Sequence, residues 1–170
     1  MLDHSLLHKI NTFIFDVDGV FTDGKILVTE SGELLRSMHT RDGQALVLAL
    51  EAGYTIAIIT KGYSAGVRKR FEKLGITHIY DSLKEKKSAF HHFVDSQQIE
   101  KENIVYMGDD IPDLPIFDLV SIAACPKDAV PEVIAKCNYI SPKEGGKGCV
   151  RELIERVMRV QGKWNHSISK

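Results

Sequence analysis

The chain has 170 residues, 44% hydrophobic and 26% charged, with a formal net charge of -1 at pH 7. That length suits one domain with a core of its own, and the composition is ordinary for a soluble globular protein. The balanced charge excludes a general attraction to nucleic acid or an anionic membrane, and no apolar stretch approaches the roughly 20 residues of a membrane span. Residues 1–11 are too polar for a secretory leader. Cys125, Cys137 and Cys149 are odd in number and read as reduced thiols of a cytoplasmic protein.

In chain order, residues 1–11 read as a short lead-in helix with Leu2, Leu6, Leu7 and Ile10 on one side. Residues 12–20, TFIFDVDGV, are an apolar run that ends abruptly in two carboxylates. Thr12, Phe13, Ile14 and Phe15 suit a strand buried on both faces, and Gly19 lets the chain turn away. Residues 21–38 read as a β-hairpin around the turn Glu30-Ser31-Gly32-Glu33. Asp42 is expected to cap a helix over 43–52, which Gly53 ends. A strand over 54–60, a helix over 63–74 and a strand over 76–80 follow. Next come a helix over 86–98, a strand over 103–107, a short helix over 112–119 and a strand over 121–124. A helix over 129–136 and a short strand over 138–140 precede the glycine run 145–148. The last helix, over 149–160, turns Val150, Leu153, Ile154 and Val157 inward. The tail after Gly162 is expected to fray, although Trp164 is large to leave unburied. Strands alternating with helices predict an α/β fold: a parallel sheet with helices on both faces.

In such sheets, ligands gather beyond the carboxyl ends of the strands. Asp16 and Asp18 stand there after the first strand, Thr60 after IAIIT, and Asp109, Asp110 and Asp113 after VYM. Lys84, Lys86 and Lys87 cluster at a helix start; phase and spacing favour Lys86. In an extended chain, residues two apart point to the same side, so Asp16 and Asp18 can face one substrate. A bare D-x-D-G also describes a capped loop. The order Asp, Thr, Lys, Asp-Asp, each beside a strand end or helix start, resembles the haloacid dehalogenase (HAD) superfamily of phosphotransferases.

That resemblance implies specific roles. Asp16 is the nucleophile that forms an aspartyl-phosphate, and Asp18 protonates the leaving alcohol and later deprotonates water. Thr60 hydrogen-bonds the phosphoryl oxygens and Lys86 stabilises their charge. Mg²⁺ is held by Asp16, Asp109 and the backbone carbonyl of Asp18. Asp113 orients the cluster, and Asp110 either supports it or is solvated.

HAD phosphatases often carry a cap domain. Here the interval from Asp18 to Thr60 holds only a hairpin and a helix, and that from Thr60 to Lys86 a helix and a strand. Neither can fold into a cap with its own core. An open site serves macromolecular phosphoesters, or a small molecule covered by a neighbouring subunit. The stretches DVDGVFTDG, SGE, RDG, GDDIPD and GGKGCVREL resemble, nearly end to end, a capless branch. It comprises 3-deoxy-D-manno-octulosonate 8-phosphate (KDO 8-phosphate) phosphatases and related nonulosonate 9-phosphate phosphatases. The resemblance implies a single HAD-like Rossmannoid domain over 1–170, with hairpin 21–38 at the centre of a homotetramer. It also implies a C-terminal arm over 145–170 that starts at GGKG and covers the site.

An acidic keto sugar needs a cation for its carboxylate, a task suited to Arg. Lys61, Arg68, Arg70 and Arg151 are the candidates, and Arg70 sits where relatives place a substrate-contacting arginine. The chain departs from the pattern at Thr60-Lys61-Gly62, where relatives often have Gly after Thr and then Arg or Glu. The expectation is a cytoplasmic, Mg²⁺-dependent KDO 8-phosphate phosphatase serving lipopolysaccharide synthesis. The alternatives are a nonulosonate (KDN or N-acylneuraminate) 9-phosphate phosphatase, or a catalytically silent binding module on the same fold.

Overall fold

Thr12, Phe13, Ile14 and Phe15 form β1 (Thr12–Phe15), buried at every residue, in a computed structural model that describes residues 4–164. β1 pairs in parallel with β4 (Thr55–Ile59) on one side and β6 (Ile104–Met107) on the other. Phe15 therefore lies between Ile58 and Met107. β5 (His78–Tyr80) extends one side, and β7 (Ile122–Cys125) and β8 (Tyr139–Ile140) the other. The resulting order, β5-β4-β1-β6-β7-β8, is parallel throughout. The chain steps outward from β1 to β5 and then crosses to the other side of β1. That reversal opens a crevice beyond the carboxyl end of β1.

Side-chain alternation along the strands divides the core in two. Phe13, Phe15, Ile56 and Ile58 pack with α1 (His4–Lys9), α2 (Thr40–Glu51), α3 (Ala65–Lys73) and α7 (Cys149–Val160). Ile14, Ala57, Ile59 and Tyr106 pack with α4 (Lys86–Ser96), α5 (Leu114–Phe117) and α6 (Pro131–Lys136). This is the expected three-layer α/β architecture, with no cap among the described residues. Helix α7 has the expected bounds, and Val150, Leu153, Ile154 and Val157 are fully buried. The helix expected over 112–119 is instead a 3-10 turn, Ile111–Asp113, followed by α5, with a proline in the first turn of each.

Three local expectations need correction. Asp42 does not cap α2, whose N-cap is His39, with Nδ1 accepting from the Arg41 N–H at 3.1 Å. Asp42 is instead fully buried and accepts from the Arg151 N–H at 2.8 Å, closing the first turn of α7, whose own N-cap is Gly148. Trp164 does not fray: it is 8% exposed, with the Arg151 and Arg159 guanidiniums 5.3 and 5.9 Å from its ring centroid. Nor does GGKG open a free arm. The Gly146 N–H bonds Val20 O at 2.9 Å, and a Cβ on Gly145 would stand 1.9 Å from Gly19 O. Residues 145–164 thus pack on their own domain; the end of the expected arm, 165–170, and Leu2 of the lead-in helix lie outside the described residues.

The hairpin is shorter than expected: β2 (Leu27–Val28) and β3 (Leu34–Leu35), antiparallel and exposed at all four residues. All three cysteines are free thiols, with Cys125 and Cys137 in contact, their Sγ atoms 3.1 Å apart.

Candidate active site

Each acid of the crevice sits where a strand runs out. The Asp16 N–H still bonds Met107 O at 3.0 Å, carrying the β1–β6 ladder one residue further. Its carboxylate then accepts from the Val17 N–H at 2.7 Å through Oδ1 and lies 2.6 Å from Lys86 Nζ through Oδ2. Val17 O accepts from the N–H groups of Val20, Phe21 and Thr22, curling the loop. Gly19, at φ +82°, completes the turn, and a Cβ there would lie 1.9 Å from Asp109 Oδ2. Glycine at that position is what makes room for the Asp109 carboxylate.

Lys86 is the first residue of α4, and its side chain is only 3% exposed. Its Nζ is also 2.6 Å from Asp113 Oδ1. Lys84 is exposed and Lys87 half-buried, so of the three lysines it is Lys86 that enters the acid cluster. Asp113 is fully buried and fully engaged: Oδ1 accepts from Lys86 and the Tyr106 hydroxyl, and Oδ2 from the N–H groups of Asp109 and Asp110. Asp110 is exposed and caps the 3-10 turn, accepting from the Ile111 N–H at 2.8 Å. Thr60 is buried just past β4, its N–H bonded to Tyr80 O.

Carboxylate oxygens of Asp16, Asp109 and Asp113 lie within 4.8 Å of one another. One ammonium does not balance three acids. Burial, with the charge of Asp113, pushes Asp16 up to about 6 against the pull of Lys86. Burial, then Asp16 and Asp113, pushes Asp109 up to about 8. Lys86 is raised as well: burial opposes its charge, yet Asp16 and Asp113 together lift it above its ordinary value, which keeps it an ammonium. The cluster is short of positive charge and offers hard oxygen donors, which fits Mg²⁺. Each Asp113 oxygen already accepts two hydrogen bonds, whereas each Asp16 oxygen has a single partner, so Asp16 and Asp109 are the side chains with lone pairs that could hold the ion.

A cleft of about 220 Å³ brings together Asp16, Asp18, Thr60, Lys61, Lys86, Asp109 and Asp110. Arg68 lines an adjoining pocket beside Asp18 and Thr60, held by Asp81 at 2.8 Å. Arg70 and Arg151 do not line their own chain's cleft. Arg70 packs at Gly43, where a Cβ would stand 2.8 Å from its Nη2. Arg151 lies in a separate basic groove with His39, Arg41, Lys147 and Arg156. Sequence reasoning misses Arg36, which grips Asp18 from 18 residues away; an arginine inside a hairpin carries no pattern that announces such a contact.

A family model of haloacid dehalogenase-like hydrolases matches residues 63–153. The 3-deoxy-D-manno-octulosonate 8-phosphate phosphatase KdsC of Escherichia coli K12 is 37% identical over 155 residues, 91% of this chain and 82% of the relative. This chain belongs to that phosphatase family. Two solved structures of the family follow the same fold. The Yersinia pestis enzyme superposes with a TM-score of 0.93 at 31% identity, covering 98% of this chain and 90% of the other. The Moraxella catarrhalis phosphatase, solved in complex with magnesium ion, phosphate ion and KDO, gives 0.91 at 31% identity, covering 95% and 93%. Family membership matches the oxygen-rich acid cleft, and the Mg²⁺ expected here is the ion of the Moraxella complex.

Proposed function

We propose that this chain hydrolyses KDO 8-phosphate to KDO and inorganic phosphate, in the cytoplasm and with Mg²⁺. The observation that carries the reading is the convergence of Asp16, Asp18, Thr60, Lys86 and Asp109 on one cleft, in a chain of this family. Asp16 attacks phosphorus; the Asp16–phosphorus bond forms as the bond to the sugar oxygen breaks, and Asp18 delivers a proton to that oxygen. Asp18 then takes a proton from water as the water oxygen attacks phosphorus, which releases Asp16 and phosphate. The Thr60 hydroxyl and the Lys86 ammonium hydrogen-bond the phosphoryl oxygens, while Asp113 keeps Lys86 aimed. Asp16, Asp109 and the Asp18 carbonyl would hold Mg²⁺, which would supply positive charge against the incoming phosphate.

The assembly belongs to the same reading. Ile26, Leu27, Val28, Leu34 and Leu35 are 42–67% exposed on the hairpin, an apolar surface suited to contact with further copies of the chain. In a homotetramer built on it, a neighbouring subunit would cover the open site. Lys61, on the cleft wall, is the basic group for the sugar acid, and Arg68 lines the adjoining pocket. Among the described residues no helix is long and apolar enough to cross a membrane.

The test is phosphate release from KDO 8-phosphate, a nonulosonate 9-phosphate and hexose phosphates, with Mg²⁺ and then with chelator. A kcat/KM preference of about tenfold or more for KDO 8-phosphate, some 1.4 kcal/mol of transition-state discrimination, is expected. A preference for the 9-phosphate would keep the mechanism and overturn the substrate. No hydrolysis of any ester would revive the silent module.

A further inference from the structure

Asp18 faces the cleft from a loop, and its carboxylate is held from one direction. Arg36, one residue beyond β3, reaches back across 18 residues: Nε lies 2.7 Å from Oδ1 and Nη2 3.1 Å from Oδ2. Its remaining nitrogen, Nη1, donates to Leu34 O at 3.2 Å, so the fork is anchored to the hairpin that carries it. Among the described residues no other donor reaches the Asp18 carboxylate. The arrangement differs from a surface ion pair, because the Arg36 side chain is 5% exposed against 32% for Asp18. A planar guanidinium that grips both oxygens fixes the rotation of the carboxylate as well as its position.

The opposite wall completes the holder. A Cβ on Gly62 would lie 3.1 Å from Asp18 Oδ2 and 3.3 Å from Arg36 Nη2. Backbone thus closes on the pair from the β4 side, and a side chain there would press on it. Arg36 and Asp18 line one small pocket together with apolar Val17, Ile58, Val67 and Phe71 and with polar Thr60, Arg68 and Asp81.

We propose that Arg36 is the positioning residue for Asp18. The hairpin carries Arg36 into the domain, and Arg36 sets the orientation from which Asp18 gives its proton to the departing sugar oxygen. This rests on the proposed role of Asp18 in ester hydrolysis. It makes the hairpin part of the chemistry as well as a contact surface: whatever holds the hairpin in place also holds Asp18.

Leaving groups separate this role from a structural one. A sugar alkoxide cannot depart without a proton, whereas 4-nitrophenolate can. The parameter kcat/KM covers the steps through departure of the first product, so it reads proton delivery directly. The experiment compares wild type, Arg36→Met and Arg36→Lys on KDO 8-phosphate and on 4-nitrophenyl phosphate, with melting temperature as the folding control. For Arg36→Met, kcat/KM is expected to fall at least tenfold on the sugar ester and to stay within threefold on the nitrophenyl ester. Arg36→Lys, which keeps the charge but not the fork, should recover part of the sugar-ester loss. Equal losses on both esters, or no loss on either, would overturn the proposal. If Arg36→Met does not fold, Arg36→Lys decides by the same split. The wild-type arm tests the proposed function separately. A wild type that prefers another sugar phosphate overturns only the substrate, and the variants are then compared on that ester. A wild type that cleaves no ester overturns both readings.

Discussion

Lys86 Nζ lies 2.6 Å from Asp16 Oδ2, an ion pair in which the two side chains are 3% and 10% exposed. The same ammonium is the cation nearest to Asp113, itself fully buried. Removing it leaves two buried carboxylates without their counter-charge, a change that typically costs about 3–5 kcal/mol. Lys86→Met is therefore expected to lower the melting temperature by about 10 °C, at roughly 2–4 °C per kcal/mol for a chain of this size. It should also cut kcat on the order of 10²–10³-fold, the usual effect of losing one donor to developing charge. A differential-scanning trace and steady-state kinetics check both. A variant as stable as wild type would show that the acids do not depend on this lysine.

Asp16→Asn tests the nucleophile with little change of shape. The amide cannot form an acyl-phosphate, so turnover should fall on the order of 10³-fold or more. Mass spectrometry of acid-quenched protein should find phosphate on the wild type and none on the variant. Because burial already pushes Asp16 up to about 6, exchanging it for a neutral amide should leave the fold intact. Full activity in Asp16→Asn would remove the aspartyl-phosphate mechanism.

How much of this was legible in advance follows from the kind of signal each residue carries. Phe13, Ile14 and Phe15 announce a doubly buried strand because hydrophobicity alone decides burial there, and Asp16 marks its end for the same reason. Helix α7 was readable to the residue because its apolar stripe is continuous from Val150 to Val157. Asp42 escapes sequence reasoning because its partner is the Arg151 backbone, 109 residues away, while the local cap of its nearest helix is taken by His39. Arg36 carries no sequence signal because its contact runs across a hairpin and depends on the depth of Asp18, which no periodicity encodes. Resemblance to relatives places Arg70 with the substrate-binding residues, whereas in the fold it packs at Gly43.

Gly19 links the loop geometry to the acid cluster. It combines φ +82° with a position where a Cβ would stand 1.9 Å from Asp109 Oδ2. Gly19→Ala should therefore move the Asp109 carboxylate, one of the two side chains proposed to hold Mg²⁺. The expected result is at least a tenfold weaker Mg²⁺ dependence in a titration of activity, with folding retained in circular dichroism. Unchanged Mg²⁺ affinity would show that Asp109 has slack the geometry does not suggest.

The raised acids make a pH prediction whose sign can be worked out. Asp16 and Asp109 hold protons in the folded state up to about 6 and about 8, against an ordinary value of 3.8. Between about 4 and 8 the metal-free folded protein thus binds more protons than the unfolded chain, so its stability falls as pH rises. In chelator, the melting temperature should drop by several degrees from pH 5 to pH 8. Mg²⁺ binds the deprotonated carboxylates, so the stabilisation it gives should grow over the same range. Asp109→Asn should flatten the chelator profile, which separates this effect from histidine titration. A chelator profile that rises with pH would contradict the charge deficit.

The hairpin makes the last prediction. Leu27 faces Leu35 across the β2–β3 pair, and both side chains are exposed, at 67% and 46%. Single exposed leucines are common, but five apolar residues on a two-stranded ribbon form a surface that water solvates poorly. If copies of the chain cover it, wild type should sediment at four times the 19.0 kDa chain mass. Leu27→Asp with Leu35→Asp places like charges directly opposite each other at that surface, and the sedimenting mass should fall. Arg36 follows Leu35 directly, so loss of assembly should also lower kcat/KM on the sugar ester more than on 4-nitrophenyl phosphate. A wild type that sediments as one chain would remove the tetramer and any arm shared between subunits. It would leave the grip of Arg36 on Asp18 intact, because that contact lies within one chain.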